Sequence, residues 1–199
     1  VEKIIIEELT KSKKNYSFIT EETGKIINND ENTFWIIDPI DGTTNFLHGV
    51  PHFAISIALQ KDDEIIIGLI FDPIKNEIFY AEKNSGSFLN NNRSRVSNKT
   101  NLDECLFASN NDGIKSIYPK LNTRNTGCAA LDLAYVGCGR LDGYFHNKIN
   151  LWDIAAGKII IEEAGGKVNN IYDYKINKID IRAGNPNIYE KMLKELENF

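Results

Sequence analysis

The sequence predicts a layered α+β fold, and three observations carry the prediction. Period-2 apolar alternation dominates the first half, helical and strand-like segments alternate in the second, and no repeat or long linker separates them. Residues 1–14 read as a helix, with Val1, Ile4, Ile5 and Leu9 on one side and lysines toward the C-terminal end, where the helix dipole favours cations. Residues 17–20 and 34–37 read as short strands, each running into acidic residues. Residues 53–59 alternate Phe53, Ile55, Ile57 and Leu59 with smaller side chains; Lys61-Asp62-Asp63 makes a turn, and residues 64–71 return as the other arm of a hairpin. Residues 77–81 add a third strand, and the short Asn-rich patches read as turns.

In the second half, residues 106–109 and 141–145 read as strands and residues 129–136 as a small-residue helix ending at Gly137. Residues 152–164 form a helix stopped by Gly165-Gly166. Residues 180–183 are a last strand, and residues 186–196 a terminal helix with proline near its start. The chain reads as one domain, residues 1–199, made of a sheet-rich half (1–100) and an αβ half (101–199).

Composition narrows the function. A chain of 199 residues with 42% apolar and 26% charged residues supports an ordinary core, burying roughly 70% of the unfolded surface. A net charge of -5 argues against non-specific nucleic-acid binding, which needs a basic face, but not against a phosphorylated ligand bridged by cations. Cys105, Cys128 and Cys138 lack CxxC spacing, and with His48, His52 and His146 they form no zinc signature. A reducing compartment, the cytoplasm, is the expectation. No apolar run approaches the roughly 18 residues a membrane helix needs, and no signal peptide is visible.

The chemistry concentrates in Trp35 to Phe46, WIIDPIDGTTNF. Asp38 and Asp41, three residues apart after a buried strand, can converge on one point. Pro39 restricts the backbone and removes a donor, which helps turn a carbonyl such as that of Ile40 toward the site. Carboxylate and carbonyl oxygens suit Mg²⁺ or Ca²⁺. Gly42-Thr43-Thr44 reads as a tight turn into a short helix whose free N–H groups would hold an anion beside the cations. Taken singly, DxxDG is as well explained by solvated aspartates, Glu21-Glu22 by surface charge, and Asp153 in WDIAAG by helix capping. Gly137-Cys138-Gly139 follows a helix and not a strand, which excludes a dinucleotide loop. No GxSxG or Cys/His nucleophile pattern is present, so a metal-activated water is the expected attacking group.

WIIDPIDGTTNF and WDIAAGKIIIEEAGG resemble the two signature motifs of the inositol monophosphatase family, and Gly127-Cys128-Ala129-Ala130-Leu131-Asp132 and Gly139-Arg140-Leu141-Asp142-Gly143-Tyr144 match its pattern between them. The likeness runs from Val1 to the C-terminal helix. It implies a layered αβαβα sandwich, usually a homodimer, and a Mg²⁺-dependent, lithium-sensitive phosphatase with two or three ions per site. Glu21, Asp38 and the Ile40 carbonyl would hold one Mg²⁺, and Asp38, Asp41 and Asp153 a second. Gly42 and Thr43 would bind phosphate, with Thr43 orienting the water. Gly127, Cys128 and Ala129 would line the alcohol side, and Asp41, His146 and Asp153 would also touch substrate.

The first substrate implied is myo-inositol 1-phosphate, with fructose 1,6-bisphosphate, nucleotide 3′-phosphate and histidinol phosphate as sister activities. Some bacterial members act instead through transcription and RNA-processing partners. Four departures stand out. Thr20 replaces a usual glycine, Cys128 a serine or threonine, and His146 a glutamate that contacts inositol hydroxyls. The fourth is the start: Ile4, Ile5, Glu8 and Leu9 read as the continuation of something under way, and the acidic partner of Thr43 would fall before Val1. The chain as given is therefore expected to be a poor catalyst that an upstream segment rescues.

Overall fold

The computed structural model describes residues 1–111, 120–169 and 178–197. Its layers run helix, sheet, helix pair, sheet, helix. The large sheet has the order β2-β1-β3-β4-β5-β6-β7-β8, from β1 (Tyr16–Thr20), β2 (Gly24–Ile26), β3 (Asp30–Asp41), β4 (Ala54–Lys61), β5 (Glu64–Asp72), β6 (Glu77–Glu82), β7 (Gly86–Leu89) and β8 (Asn92–Arg93). The small sheet has the order β10-β9-β11-β13-β12, from β9 (Phe107–Ala108), β10 (Thr123–Arg124), β11 (Gly143–Ile149), β12 (Lys167–Val168) and β13 (Ile179–Gly184). Helix α1 (Glu2–Ser12) lies on the large sheet, and the short α2 (Thr43–Leu47) follows β3. Helices α3 (Ala129–Gly137) and α4 (Leu151–Glu163) fill the space between the sheets, and α5 (Pro186–Glu197) closes the outer side of the small one.

The helix pair makes the core. Ile154, Ile159, Ile160 and Ile161 of α4 and Leu131, Leu133 and Val136 of α3 are buried, each such side chain contributing about 1.5–3 kcal/mol. Small residues set the spacing. A Cβ on Gly157 would fall 2.4 Å from Leu133 Cβ, and one on Gly68 would fall 2.6 Å from the Ala156 carbonyl oxygen. Helix α4 is thus pressed against both α3 and the large sheet.

In β4 the buried side is Ala54, Ser56, Ala58 and Gln60, whereas Ile55 and Ile57 are only half-buried on the other face. Close approach of α4 selects small side chains there. Two expectations need correction. In α1, Ile4 is 65% exposed and Glu2 only 3%, so the covered side runs Glu2, Ile5, Ile6, Leu9. Finally, the strand read at residues 34–37 extends to Asp41, so Asp38 and Asp41 lie in β3 and not beyond it. The 61–63 turn stands as expected, with Asp62 and Asp63 both at positive φ, as a tight hairpin requires. No helix among the described residues is long and apolar enough to cross a membrane.

Candidate functional site

Strand residues three apart normally face opposite sides of a sheet, yet Asp38 and Asp41 converge. The pairing explains this: Asp38 stands opposite Ser56 and Asp41 opposite Ala54, so β3 gains one residue between them. That bulge reverses the alternation once and puts both carboxylates on the side facing the helix pair. Pro39 lies in the bulge, where its missing N–H leaves no ladder position unfilled.

Asp153 arrives from the other direction, as the third residue of α4. Its Oδ2 accepts the Asn150 N–H at 3.2 Å in a capping box, and Ser56 Oγ donates to the Trp152 carbonyl at 3.2 Å. Since Ser56 is the ladder partner of Asp38, that bond fixes the start of α4 beside Asp38. Ligand oxygens of Asp38, Asp41 and Asp153 all lie within 4.8 Å of one another. Glu21 stands exposed at the end of β1, its N–H donating to the Ile37 carbonyl at 3.2 Å, outside the group of three. The Ile40 carbonyl accepts the Thr43 hydroxyl at 2.9 Å, while the Ile40 N–H donates to Asp38 Oδ1 at 2.9 Å.

Three carboxylates cannot share this space fully ionised. Burial, and then the charges of Asp41, Glu21 and Asp153, hold the Asp38 carboxyl far above the usual range. Burial also raises Asp153, against its hydrogen bonds from Asp38 and Asn150. Burial and Asp153 push Asp41 up to about 7, although Ala130 N–H, Cys128 Sγ and Gly42 N–H all donate to it. A hard divalent cation removes the repulsion and prefers these oxygens, so the donor set fits Mg²⁺. A larger hollow of about 410 Å³ opens at the other end of β3 beside Lys25 and Phe34, but the one metal-ligating cluster among the described residues is the aspartate trio.

The comparisons with known proteins agree with this geometry. Residues 1–198 match the inositol monophosphatase family. The chain is 37% identical over 213 residues to the inositol-1-monophosphatase of Caulobacter vibrioides, covering 98% of this chain and 83% of that one. It is also 37% identical to the Nus factor SuhB of Escherichia coli K12, covering 99% and 79%. The crystal structure of the extragenic suppressor protein suhB from Bartonella henselae superposes with a TM-score of 0.90 at 41% identity, over 98% of this chain and 81% of that one. The chain belongs to the inositol monophosphatase family.

In this member of the inositol monophosphatase family, a cleft of about 250 Å³ opens beside two of the three aspartates, lined by Asp41, Asp153, Asn150, Gly127, Ala129, Asn110, His146, Lys148, Ile149 and Lys178. Gly127, Ala129 and His146 share this lining with Asp41 and Asp153. Cys128 has no exposed surface, and its Sγ turns to Asp41 Oδ2 at 3.1 Å and not to the cleft. Gly42 sits at φ +86, and a Cβ there would meet the His52 carbonyl at 3.1 Å and Cys128 Cβ at 3.2 Å. Thr43 is exposed at the start of α2.

Sequence reasoning missed the residues that hold these in place. Glu2 accepts the N–H groups of Glu22 and Thr23, each at 3.1 Å, and so clamps the turn that carries Glu21. Asn110 Oδ1 accepts the Thr126 and Gly127 N–H groups at 3.2 and 3.0 Å, and buried Asp132 accepts Thr126 Oγ1 at 2.8 Å. Asn45 Nδ2 donates to the Thr126 carbonyl at 2.9 Å, tying α2 to the same loop. A lone acid in the apolar α3 was the available signal for Asp132; nothing local distinguished Glu2 or Asn110.

Proposed function

We propose that the chain hydrolyses small phosphate monoesters with Mg²⁺, and that myo-inositol 1-phosphate is the first substrate to test. The observation that carries this reading is the convergence of Asp38, Asp41 and Asp153, three buried or half-buried carboxylates whose ionisation calls for a cation. Asp38, Asp41 and Asp153 would hold one Mg²⁺; Glu21, Asp38 and the Ile40 carbonyl would hold another. When bound, two or three such ions supply Lewis acidity toward phosphoryl oxygens and a lowered pKa for water. The protein groups do the rest. Thr43 offers a backbone N–H at the start of α2 with no acceptor within its own helix, while the Gly42 N–H donates to Asp41 and would have to turn from it to reach a phosphate. With its proton directed at the Ile40 carbonyl, Thr43 Oγ1 turns its lone pairs outward, where they can accept from a water and orient it. The Gly127–Ala129 backbone walls the alcohol side, and Cys128 steadies Asp41 from behind.

A second copy of the chain is the proposed partner for the exposed Phe46, Leu47 and Val50 beside the site. Three free cysteines fit a reducing compartment, and the cytoplasm is the proposed location. The test is phosphate release from a panel of small monoesters, myo-inositol 1-phosphate among them, with and without Mg²⁺. No release from any of them at saturating Mg²⁺ overturns the reading. Millimolar Li⁺ should reduce the Mg²⁺-supported rate, and an insensitive rate would count against a weakly held second cation.

The relatives named Nus factor SuhB favour a second reading, in which the chain binds a transcription-machinery partner. Asp41→Asn separates the two: retained capture of RNA polymerase components by the inactive variant supports the binding role, and capture lost along with activity speaks against it.

A further inference from the structure

Helix α3 buries one acid among apolar residues: Asp132 has no exposed surface. The helix dipole favours an acid in the first turn, but an exposed one would serve, and taking a carboxylate out of water is unfavourable. Its partners explain the placement better. Oδ1 accepts the Thr126 hydroxyl at 2.8 Å, and Oδ2 accepts Asn110 Nδ2 at 3.4 Å. Both partners hold the strap of residues 126–128 that joins β10 to α3. Thr126 Oγ1 accepts the Cys128 N–H at 3.3 Å, and Asn110 Oδ1 accepts the N–H groups of Thr126 and Gly127.

Gly127 of this strap lines the cleft together with Ala129 and Asn110. Two further contacts brace the strap. Ala130 N–H and Cys128 Sγ both meet Asp41 Oδ2, and Asn45 Nδ2 donates to the Thr126 carbonyl at 2.9 Å. A Cβ on Gly127, which has φ +79, would lie 3.1 Å from Asn45 Nδ2, so the strap already sits close against α2. Asp132 adds direction to these contacts. A carboxamide is nearly symmetric in shape, and with its nitrogen toward the strap Asn110 would oppose two N–H groups. The Asp132 carboxylate takes that nitrogen and keeps the oxygen toward Thr126 and Gly127. One buried acid thus fixes both the hydroxyl and the amide that carry the strap.

Resting on the phosphatase reading above, we propose that Asp132 is a positioning residue for recognition of the substrate's alcohol part: acting through Thr126 and Asn110, it holds the 126–128 strap at its place on the cleft. Asp132 is absent from the cleft lining and fully buried, so it does not touch substrate itself. The metal side does not lean on it, because Asp41 keeps its bonds from Ala130 and Cys128. Loss of Asp132 therefore weakens contacts that are equal in the ground state and the transition state, and leaves the chemical step in place.

The experiment measures kcat and KM for myo-inositol 1-phosphate, and the Ki of inorganic phosphate, which carries no alcohol, in Asp132→Asn, Thr126→Val and the double variant. Both substitutions keep size and shape. An amide at 132 can accept from only one of its two partners, so either Thr126 or Asn110 loses its acceptor, and Thr126→Val removes the hydroxyl itself. Each single variant should raise KM about fivefold, with kcat and the phosphate Ki within about twofold of native. Because the two act through one hydrogen bond, the double variant should stay within about twofold of the worse single one. A KM raised about 25-fold in the double variant, the product of independent effects, overturns the proposal, as does a phosphate Ki that rises in step with KM. Hydrogen exchange gives a readout that needs no turnover. In Asp132→Asn the Thr126, Gly127 and Cys128 amides should exchange about fivefold faster or more, while β3 keeps its native rates. Unchanged exchange at the strap overturns the proposal whether or not the chain is active, whereas no release from any monoester overturns the phosphatase reading instead.

Discussion

The two sides of the cleft are built on different principles. Asp38 and Asp41 stand on β3, a strand of 12 residues hydrogen-bonded to a neighbour on each side, and Asp153 is fixed to that ladder through Ser56. The opposite wall belongs to the small sheet, in which β9, β10 and β12 have two residues each and side-chain hydrogen bonds set the shape. Charges that must be buried together need a rigid ladder. A wall held by a few side-chain hydrogen bonds can be reshaped by single substitutions.

The sharpest way to break this contrast is Asp41→Asn. The amide oxygen can still cap α3 through the Ala130 N–H, so we expect the fold to persist while kcat/KM falls by about 10³-fold or more. Turnover near the native value with saturating Mg²⁺ would mean that the trio is not the metal centre.

Next in size is Glu2→Gln, which probes whether the ladder end extends to the Glu21 turn. One of the two backbone N–H groups would face an amide donor, and Mg²⁺ affinity by calorimetry should weaken about tenfold. Glu8→Gln, on the exposed side of the same helix, is the control. Equal affinities in the two variants would make Glu2 a structural residue only.

The third expectation concerns pH. Burial raises the Asp41 pKa from 3.8 to about 7, so the native chain keeps a proton that the unfolded chain releases. This contribution to stability is complete below about pH 4 and is lost as pH rises through about 7. Without metal, the Tm of the native chain relative to Asp41→Asn should therefore fall between about pH 4 and about pH 7, and Mg²⁺ should reverse the fall. A difference that grows with pH would show that Asp41 is ionised in the metal-free protein. The smallest effect is expected for Cys128→Ser, since a hydroxyl can make the same bond to Asp41; kcat should stay within about threefold, and a larger loss would give the thiol a role of its own.

Much of the site was legible because its chemistry is local. The spacing of Asp38 and Asp41, the glycine after them, and Asp153 at a helix start are written in short runs, and the structure brings these three aspartates together. Glu21 was read from the same kind of signal and stands just outside the group, where its charge still reaches Asp38 and Asp153. The clamps were not legible. Glu2 lies 20 residues from the Glu22 amide it accepts, and Asn110 lies 17 residues from Gly127.

The sequence by itself determined the element types, the hairpin at Asp62-Asp63 and the identity of the carboxylates, because periodicity, turn chemistry and charge act over a few residues. Tertiary structure decided which face of β4 and of α1 is covered, because burial depends on what packs there: α4 selects Ala54, Ser56 and Ala58 on β4, and the Glu22 and Thr23 amides draw Glu2 inward. It also decided that Asp38 and Asp41 share a face, since a one-residue bulge is defined by the partner strand and not by the strand that carries it. The same holds for the register shift of β11 at Lys148, whose left-handed backbone is kept in place by Asn111, Asp180 and Arg182, none of them its neighbours in sequence.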